Sequence, residues 1–172
     1  MIKNFEAIGL NLYTNFISLK EEKEILSNIE PSTKINKGSD RNSIRRYGSN
    51  VPYKNQMESK GIPDFLETLC YKLVNEGYLP EKPDSVSINE YCIGNRIAAH
   101  IDSLASGEII SVLSLLSDAT MVFSNDFQDF TLNIPRLSLV QMRNEIRYKW
   151  KHAILPVSNK RYSIVFRKGT TH

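Results

Sequence analysis

Three histidines occur in the chain: His100, His152 and His172. His172 is the last residue, where order is least expected. His100-Ile101-Asp102 sets an imidazole and a carboxylate two positions apart, and in extended backbone residues i and i+2 face the same side. His152 lies on a later element. Two histidines and one carboxylate from two strands form the ligand set of a non-haem Fe(II) facial triad, which leaves coordination positions open for a co-substrate and oxygen. The motif is short, and the bland alternative is a surface His beside a surface Asp.

A second concentration of chemistry lies in Arg161-Tyr162-Ser163-Ile164-Val165-Phe166-Arg167. Read as a strand, it puts Tyr162, Ile164 and Phe166 on one face and Arg161, Ser163, Val165 and Arg167 on the other. The two arginines start roughly 20 Å apart. Their long side chains could lean inward and bracket a small dianion, since a guanidinium recognises carboxylates bidentately. The alternative is an edge strand whose arginines face water. Asn89 and Tyr91 share a face of the strand Ser85–Cys92, with Val86, Ile88 and Glu90 on the other. An amide beside a phenol can hydrogen-bond a carboxylate or a base edge. Tyr148, Trp150 and His152 are also spaced by two, which would line the wall leading to His152 with aromatics, unless Trp150 belongs to the core.

These residues need a scaffold. The chain has 172 residues, 41% hydrophobic and 24% charged, with a net charge of +3; mean hydropathy is −0.33. That suits one ordinary globular domain spanning 1–172. No apolar run reaches the roughly 18 residues that span a bilayer, and the N-terminus lacks the apolar stretch of a signal peptide. A cytoplasmic location is expected, or a nuclear one in a eukaryotic or viral setting. Cys70 and Cys92 are too few for a disulfide scaffold and suit reduced, buried thiols.

Gly9–Phe16 reads as a short strand. Ser18-Leu19-Lys20-Glu21 is a capping box opening a helix to about Ile29. Pro63 suits the first position of a second helix, carried by Phe65, Leu66, Leu69, Leu73 and Val74 and ended by Gly77. From Ser85 the period becomes two. Ile109–Leu116, Ala119–Ser124, Phe130–Ile134, Arg136–Met142 and Arg161–Arg167 read as strands of a sandwich or barrel, with the two helices buttressing one sheet. Residues 32–60 show no sustained periodicity and read as a long surface segment with a hairpin near Tyr47-Gly48-Ser49-Asn50.

Taken in order, Asn89-x-Tyr91, Gly94, His100-x-Asp102, Ser111-x-x-Ser114-Leu115, Pro135-Arg136-x-Ser138-Leu139, Arg147-Tyr148-x-Trp150-x-His152 and Arg161-Tyr162-Ser163-x-x-Phe166-Arg167 resemble the AlkB family of Fe(II)/2-oxoglutarate dioxygenases. The resemblance spans about Leu10 to Lys168. It is strongest toward the eukaryotic-type branch that includes the tRNA wobble-uridine hydroxylase. It implies a mainly β fold with α, a double-stranded β-helix (jelly roll). It implies Fe(II) held by His100, Asp102 and His152, and 2-oxoglutarate as co-substrate. Arg161 would pair with the distal carboxylate of the oxo acid. Asn89, Tyr91 and Ser163 would face the co-substrate, and Arg167 would lie near its chelating end. The implied reaction hydroxylates a C–H bond; on an N-methyl group the product loses formaldehyde, which amounts to demethylation.

The family's segment ahead of the barrel covers the nucleotide. Here 32–60 would be that basic lid. Its Arg41, Arg45 and Arg46 would meet phosphates, and Tyr47 and Tyr53 would stack on bases. RNA or DNA is the expected partner of a monomeric enzyme, with the target base out of its stack. Two departures stand out. Leu104 occupies a position that is acidic in DNA-repair members, and Ser163 one that is often Asn. The same chemistry on a protein side chain or small molecule is the main alternative. A zinc hydrolase would leave Arg161 and Arg167 unexplained, and a non-catalytic binding module would not need Asp102.

Overall fold

The computed structural model describes residues 5–33, 40–49 and 61–169. Its chain order is β1 (Leu10–Tyr13), α1 (Leu19–Ser27), β2 (Ser43–Gly48), α2 (Asp64–Asn75), β3 (Ser85–Tyr91), β4 (Ile97–His100), β5 (Ile110–Leu115), β6 (Ala119–Ser124), β7 (Asp129–Ile134), β8 (Leu139–Met142), α3 (Asn144–Lys149), β9 (Lys151–Ile154) and β10 (Arg161–Arg167). A six-stranded sheet has the order β1-β8-β5-β10-β3-β2, and a four-stranded sheet the order β4-β9-β6-β7. Every pairing is antiparallel. Two such sheets face to face make the jelly roll. No helix among the described residues is long and apolar enough to cross a membrane.

Alternation along the central strands builds two separate cores. One face of β3, β5 and β10 presents Val86, Ile88, Leu113, Leu115, Tyr162, Ile164 and Phe166, and α1 and α2 cover it with Ile25, Leu66, Leu69, Cys70 and Leu73, joined by Ile29 just past the end of α1. The opposite face meets the small sheet through Val112, Val140, Met142 and Val165 against Met121, Phe123, Ile134 and Ile154. The capping box forms as expected: Glu21 N donates to Ser18 Oγ at 3.2 Å and Ser18 N to Glu21 Oε2 at 2.7 Å. Pro63 sits one position before the first turn of α2, and Gly77 takes the left-handed conformation that ends it. Glu22 is buried beneath α1, where its carboxylate accepts from Leu116 N at 2.8 Å and from Arg136 Nε at 2.9 Å, tying the helix to the sheet.

Several sequence expectations change. The stretch Arg136–Met142 is strand only from Leu139, because Pro135 and a left-handed Leu137 (φ 69°) form a turn first. Tyr148 lies on α3, so the aromatic spacing before His152 is not strand alternation; Tyr148 is exposed and Trp150 is buried in the core against Phe130. Part of the 32–60 surface segment is a regular edge strand, β2, paired along β3 from Ser43 to Gly48. Cys70 is buried, whereas Cys92 is only half-buried.

Candidate active site

His100 ends β4 directly opposite His152 on β9. Asp102 follows two residues after His100, in the turn leaving the strand. One ligand atom from each of these three side chains lies within 4.8 Å of the others. His152 Nε2 is 3.4 Å from Asp102 Oδ2, and the two imidazole centroids are 4.4 Å apart. His100 is exposed at the mouth and is oriented by a 2.9 Å contact of Nδ1 with the Ala98 carbonyl. His152 is buried against the Phe123 ring.

Electrostatics prepare these groups to bind a cation. Burial pushes the His152 pKa down to about 4, opposed by Asp102 and reinforced by His100, so the imidazole keeps its lone pair at neutral pH. Burial would raise the Asp102 carboxyl, but Arg167 and the histidines outweigh it and hold the pKa below the usual value. Arg167 Nη2 donates to Asp102 Oδ1 at 2.9 Å. An ionised carboxylate and a neutral imidazole are the forms that ligate metal.

The triad opens into a cavity of about 460 Å³, lined also by Asn89, Tyr91, Arg161, Ser163 and Arg167. β10 supplies Arg161, Ser163 and Arg167 from the face that alternation assigns them. β3 beside it supplies Asn89 and Tyr91. Opposite Tyr91 in register, Arg161 is fully buried. Its Nε donates to Ser114 Oγ at 3.1 Å and its guanidinium lies 4.9 Å over the Tyr91 ring. Both terminal nitrogens are buried without a hydrogen-bond partner. A buried guanidinium with unused donors is costly unless an anion completes it, and a carboxylate matches its fork. Asn89 Nδ2 donates to Ser163 Oγ at 3.3 Å, which aligns both toward the cavity.

The predicted substrate residues divide. Arg41 and Arg46 line the cavity, with Asp40, Ile44 and Arg96 beside them. Arg45 and Tyr47 face the other way: Arg45 lies 3.7 Å from Glu90 and donates to the Glu30 carbonyl, while Tyr47 packs on the helix-side core. A strand sends alternate side chains to opposite faces, so this stretch cannot present all three arginines to one ligand. Tyr53 lies outside the described residues, as do Lys34, Lys37, Lys54, Lys60 and His172. Arg96, which precedes β4, had no sequence signal as a cavity residue. Arg147, exposed neither to solvent nor to the cavity, had none for the contacts described below.

The fold and this donor set define an oxygenase that uses iron and 2-oxoglutarate. The profile of the 2OG-Fe(II) oxygenase superfamily matches residues 32–167, and the chain belongs to that superfamily. It is 34% identical over 160 residues to the tRNA (carboxymethyluridine(34)-5-O)-methyltransferase ALKBH8 of Macaca fascicularis, covering 85% of this chain and 24% of that protein. The chain thus spans about a quarter of that relative's length. A DNA N6-methyl adenine demethylase of Caenorhabditis elegans is 27% identical, with 96% of this chain and 62% of that one covered. The structure of OsALKBH1 superposes with a TM-score of 0.69 at 13% identity, covering 93% of this chain and 98% of that one. The likeness is therefore to AlkB-like members.

His100, Asp102 and His152 would hold the iron, and Arg161, with Asn89, Tyr91 and Ser163, the oxo acid. Bound there, the pair supplies oxygen-dependent hydroxylation of a C–H bond, coupled to decarboxylation of the oxo acid. The chain's own part is orientation. Arg167 keeps Asp102 ionised and fixed, Arg161 would anchor a carboxylate of the oxo acid, and Val112, Met121 and Val165 give the lining apolar surface.

Proposed function

We propose that the protein hydroxylates or oxidatively demethylates a modified nucleobase in RNA or DNA. The observation that carries this reading is one cavity in which the His100–Asp102–His152 cluster and the incompletely bonded Arg161 meet, with Arg41, Arg46 and Arg96 also in its lining. Guanidinium groups attract phosphates, and a base turned out of its stack can enter a narrow pocket where a duplex cannot. Ile101 and Leu104 are exposed beside the ligand loop and offer apolar contact to a base. Leu104 has no carboxylate with which to accept from an exocyclic amino group, which favours a base recognised by other means. The names of the two curated relatives, one acting on tRNA and one on DNA, support a nucleic-acid substrate without choosing between them.

The test is succinate release with iron, 2-oxoglutarate and panels of modified RNA, modified DNA and peptides, followed by mass spectrometry of the digested nucleosides. Turnover stimulated by an oligonucleotide, with a base changed by one oxygen or one lost methyl, is expected. Stimulation by peptides only would replace this reading with protein hydroxylation.

A further inference from the structure

We propose that Arg147 is the positioning residue of the metal site: it holds the loop carrying Asp102 at ligating distance from His152. Arg147 lies in the last turn of α3, five residues before His152, and its helix runs through Trp150 directly into β9. The side chain is 3% exposed. It does not point at the ligands. Its Nη1 donates to the Asp102 carbonyl at 3.0 Å, Nη2 to the Ser103 carbonyl at 2.6 Å, and Nε to the Gly107 carbonyl at 3.2 Å. One planar guanidinium therefore satisfies three backbone acceptors of a single loop, using the fixed fork of donors that only arginine has.

The geometry explains why a charge is buried there without a salt bridge. Asp102 lies beyond the end of β4, outside any ladder of backbone hydrogen bonds. The Ser103 carbonyl accepts from Ser106 N at 3.0 Å within the short turn that follows; Arg147 adds a second donor to it and ties the Asp102 and Gly107 carbonyls to α3. It also joins the two ligand-bearing segments, since the element that donates to the Asp102 loop is the one that delivers His152. On the far side the loop is fixed by close approach: Gly107, at φ 85°, lies against the Lys168 carbonyl so tightly that a Cβ would come within 1.8 Å of it. Lys168 follows Arg167, whose guanidinium holds the Asp102 carboxylate. The loop is thus gripped by its backbone from α3 and by its side chain from β10. Groups behind the direct ligands commonly govern metal affinity by ten- to a hundredfold.

This rests on the metal-site reading, and the experiment separates the two. The full chain and the variants Arg147→Lys, Arg147→Ala, Asp102→Ala and Phe166→Ala are titrated with Mn(II) alone, read by electron paramagnetic resonance. Metal-free melting is followed by circular dichroism. Arg147→Lys keeps the charge and much of the stem but cannot span three carbonyls. Both Arg147 variants are expected to raise the Mn(II) Kd about tenfold or more and to lose most of the melting shift that Mn(II) produces. Phe166→Ala, a packing control, should melt earlier with its Mn(II) Kd unchanged. Arg147 variants with wild-type Mn(II) affinity, beside an Asp102→Ala that has lost it, would overturn the assignment alone. Asp102→Ala binding like wild type would bring down the metal site and the assignment with it. Failure of even Arg147→Lys to fold would make Arg147 a folding determinant and also overturn the assignment.

Discussion

The two faces of the six-stranded sheet are buried alike and built from the same strands, yet they are finished differently. Toward α1 and α2, β10 presents Tyr162, Ile164 and Phe166 to a continuous apolar core. Toward the cavity the same strand presents Arg161, Ser163 and Arg167, with Ser87, Asn89 and Tyr91 alongside on β3. The helix side is closed by apolar packing, with the Tyr162 hydroxyl buried in it without a hydrogen-bond partner. The cavity side holds a guanidinium with buried, unused donors and a carboxylate flanked by two imidazoles. Stability is concentrated on one face of the strand and ligand binding on the other, so substitutions one residue apart should have opposite signatures.

The largest effect expected is on the helix side. Phe166→Ala removes a fully buried ring and should cost about 3–5 kcal/mol in denaturant unfolding. Folded protein should still bind 2-oxoglutarate as wild type does. A fall in that affinity equal to the loss of stability would show that the two faces are not separable. Next comes Arg161→Met on the cavity side. Removing the anchor of a buried carboxylate should weaken 2-oxoglutarate binding by about 2–4 kcal/mol, roughly a hundredfold. Unfolding free energy should hold or rise, because a buried charge without a partner anion opposes folding. Calorimetric titration and chemical denaturation on the same preparation read both quantities.

Legibility in the sequence follows the same division. The helix side was readable because apolar periodicity reports burial: the capping box, α2 and the alternation of β10 are where their patterns place them. The cavity side was readable only where strand alternation and the spacing of His100 and Asp102 carried it, with the family resemblance assigning roles. α3 was hidden because Asn144–Lys149 is six residues long and Tyr148, Trp150 and His152 imitate a period of two. β2 was hidden because both its faces carry an arginine, Arg46 to the cavity and Arg45 to Glu90. Leu137 gave no warning of a turn, since a left-handed conformation is rare for leucine. The contacts of Arg147 are to carbonyls some 40 residues away, and backbone acceptors leave no trace in side-chain identity.

Acid should act on the helix side through Glu22. Burial would raise its pKa, but the bonds from Arg136 and Leu116 N prevail and lower it from the ordinary 4.5. A carboxyl whose pKa falls on folding contributes stability that is fully present above the unfolded value and lost as pH drops through the folded one. Unfolding free energy of the metal-free protein should therefore fall in two stages on acidification: first below about pH 6.5, where the unfolded chain protonates His152 and the folded one, with that pKa pushed down to about 4, does not, and again below 4.5 through Glu22. Glu21, lowered to about 2 by its bonds to Ser18 and Lys72, extends that decline, though its partial exposure reduces its weight. Glu22→Gln should cost about 1–3 kcal/mol at pH 7 and flatten the acid limb. An acid limb of unchanged slope in the variant would move the effect to other carboxylates.

The smallest effect sharpens the comparison most. Ser163 lies between Ile164 and Tyr162 in sequence but faces the cavity, where its hydroxyl accepts from Asn89 at 3.3 Å. At that length the bond is weak, and Ser163→Ala should shift unfolding by less than about 1 kcal/mol. On the proposed reading the hydroxyl would hold the Asn89 amide in place for the oxo acid. Its loss should raise KM for 2-oxoglutarate about two- to fivefold, with kcat little changed, because an interaction made equally in the ground and transition states affects binding alone. A loss as large as that of Arg161→Met would mean that Asn89, Ser163 and Arg161 act as one cooperative unit. No loss at all would leave Arg161 to recognise the oxo acid with no help from the β3–β10 polar pair.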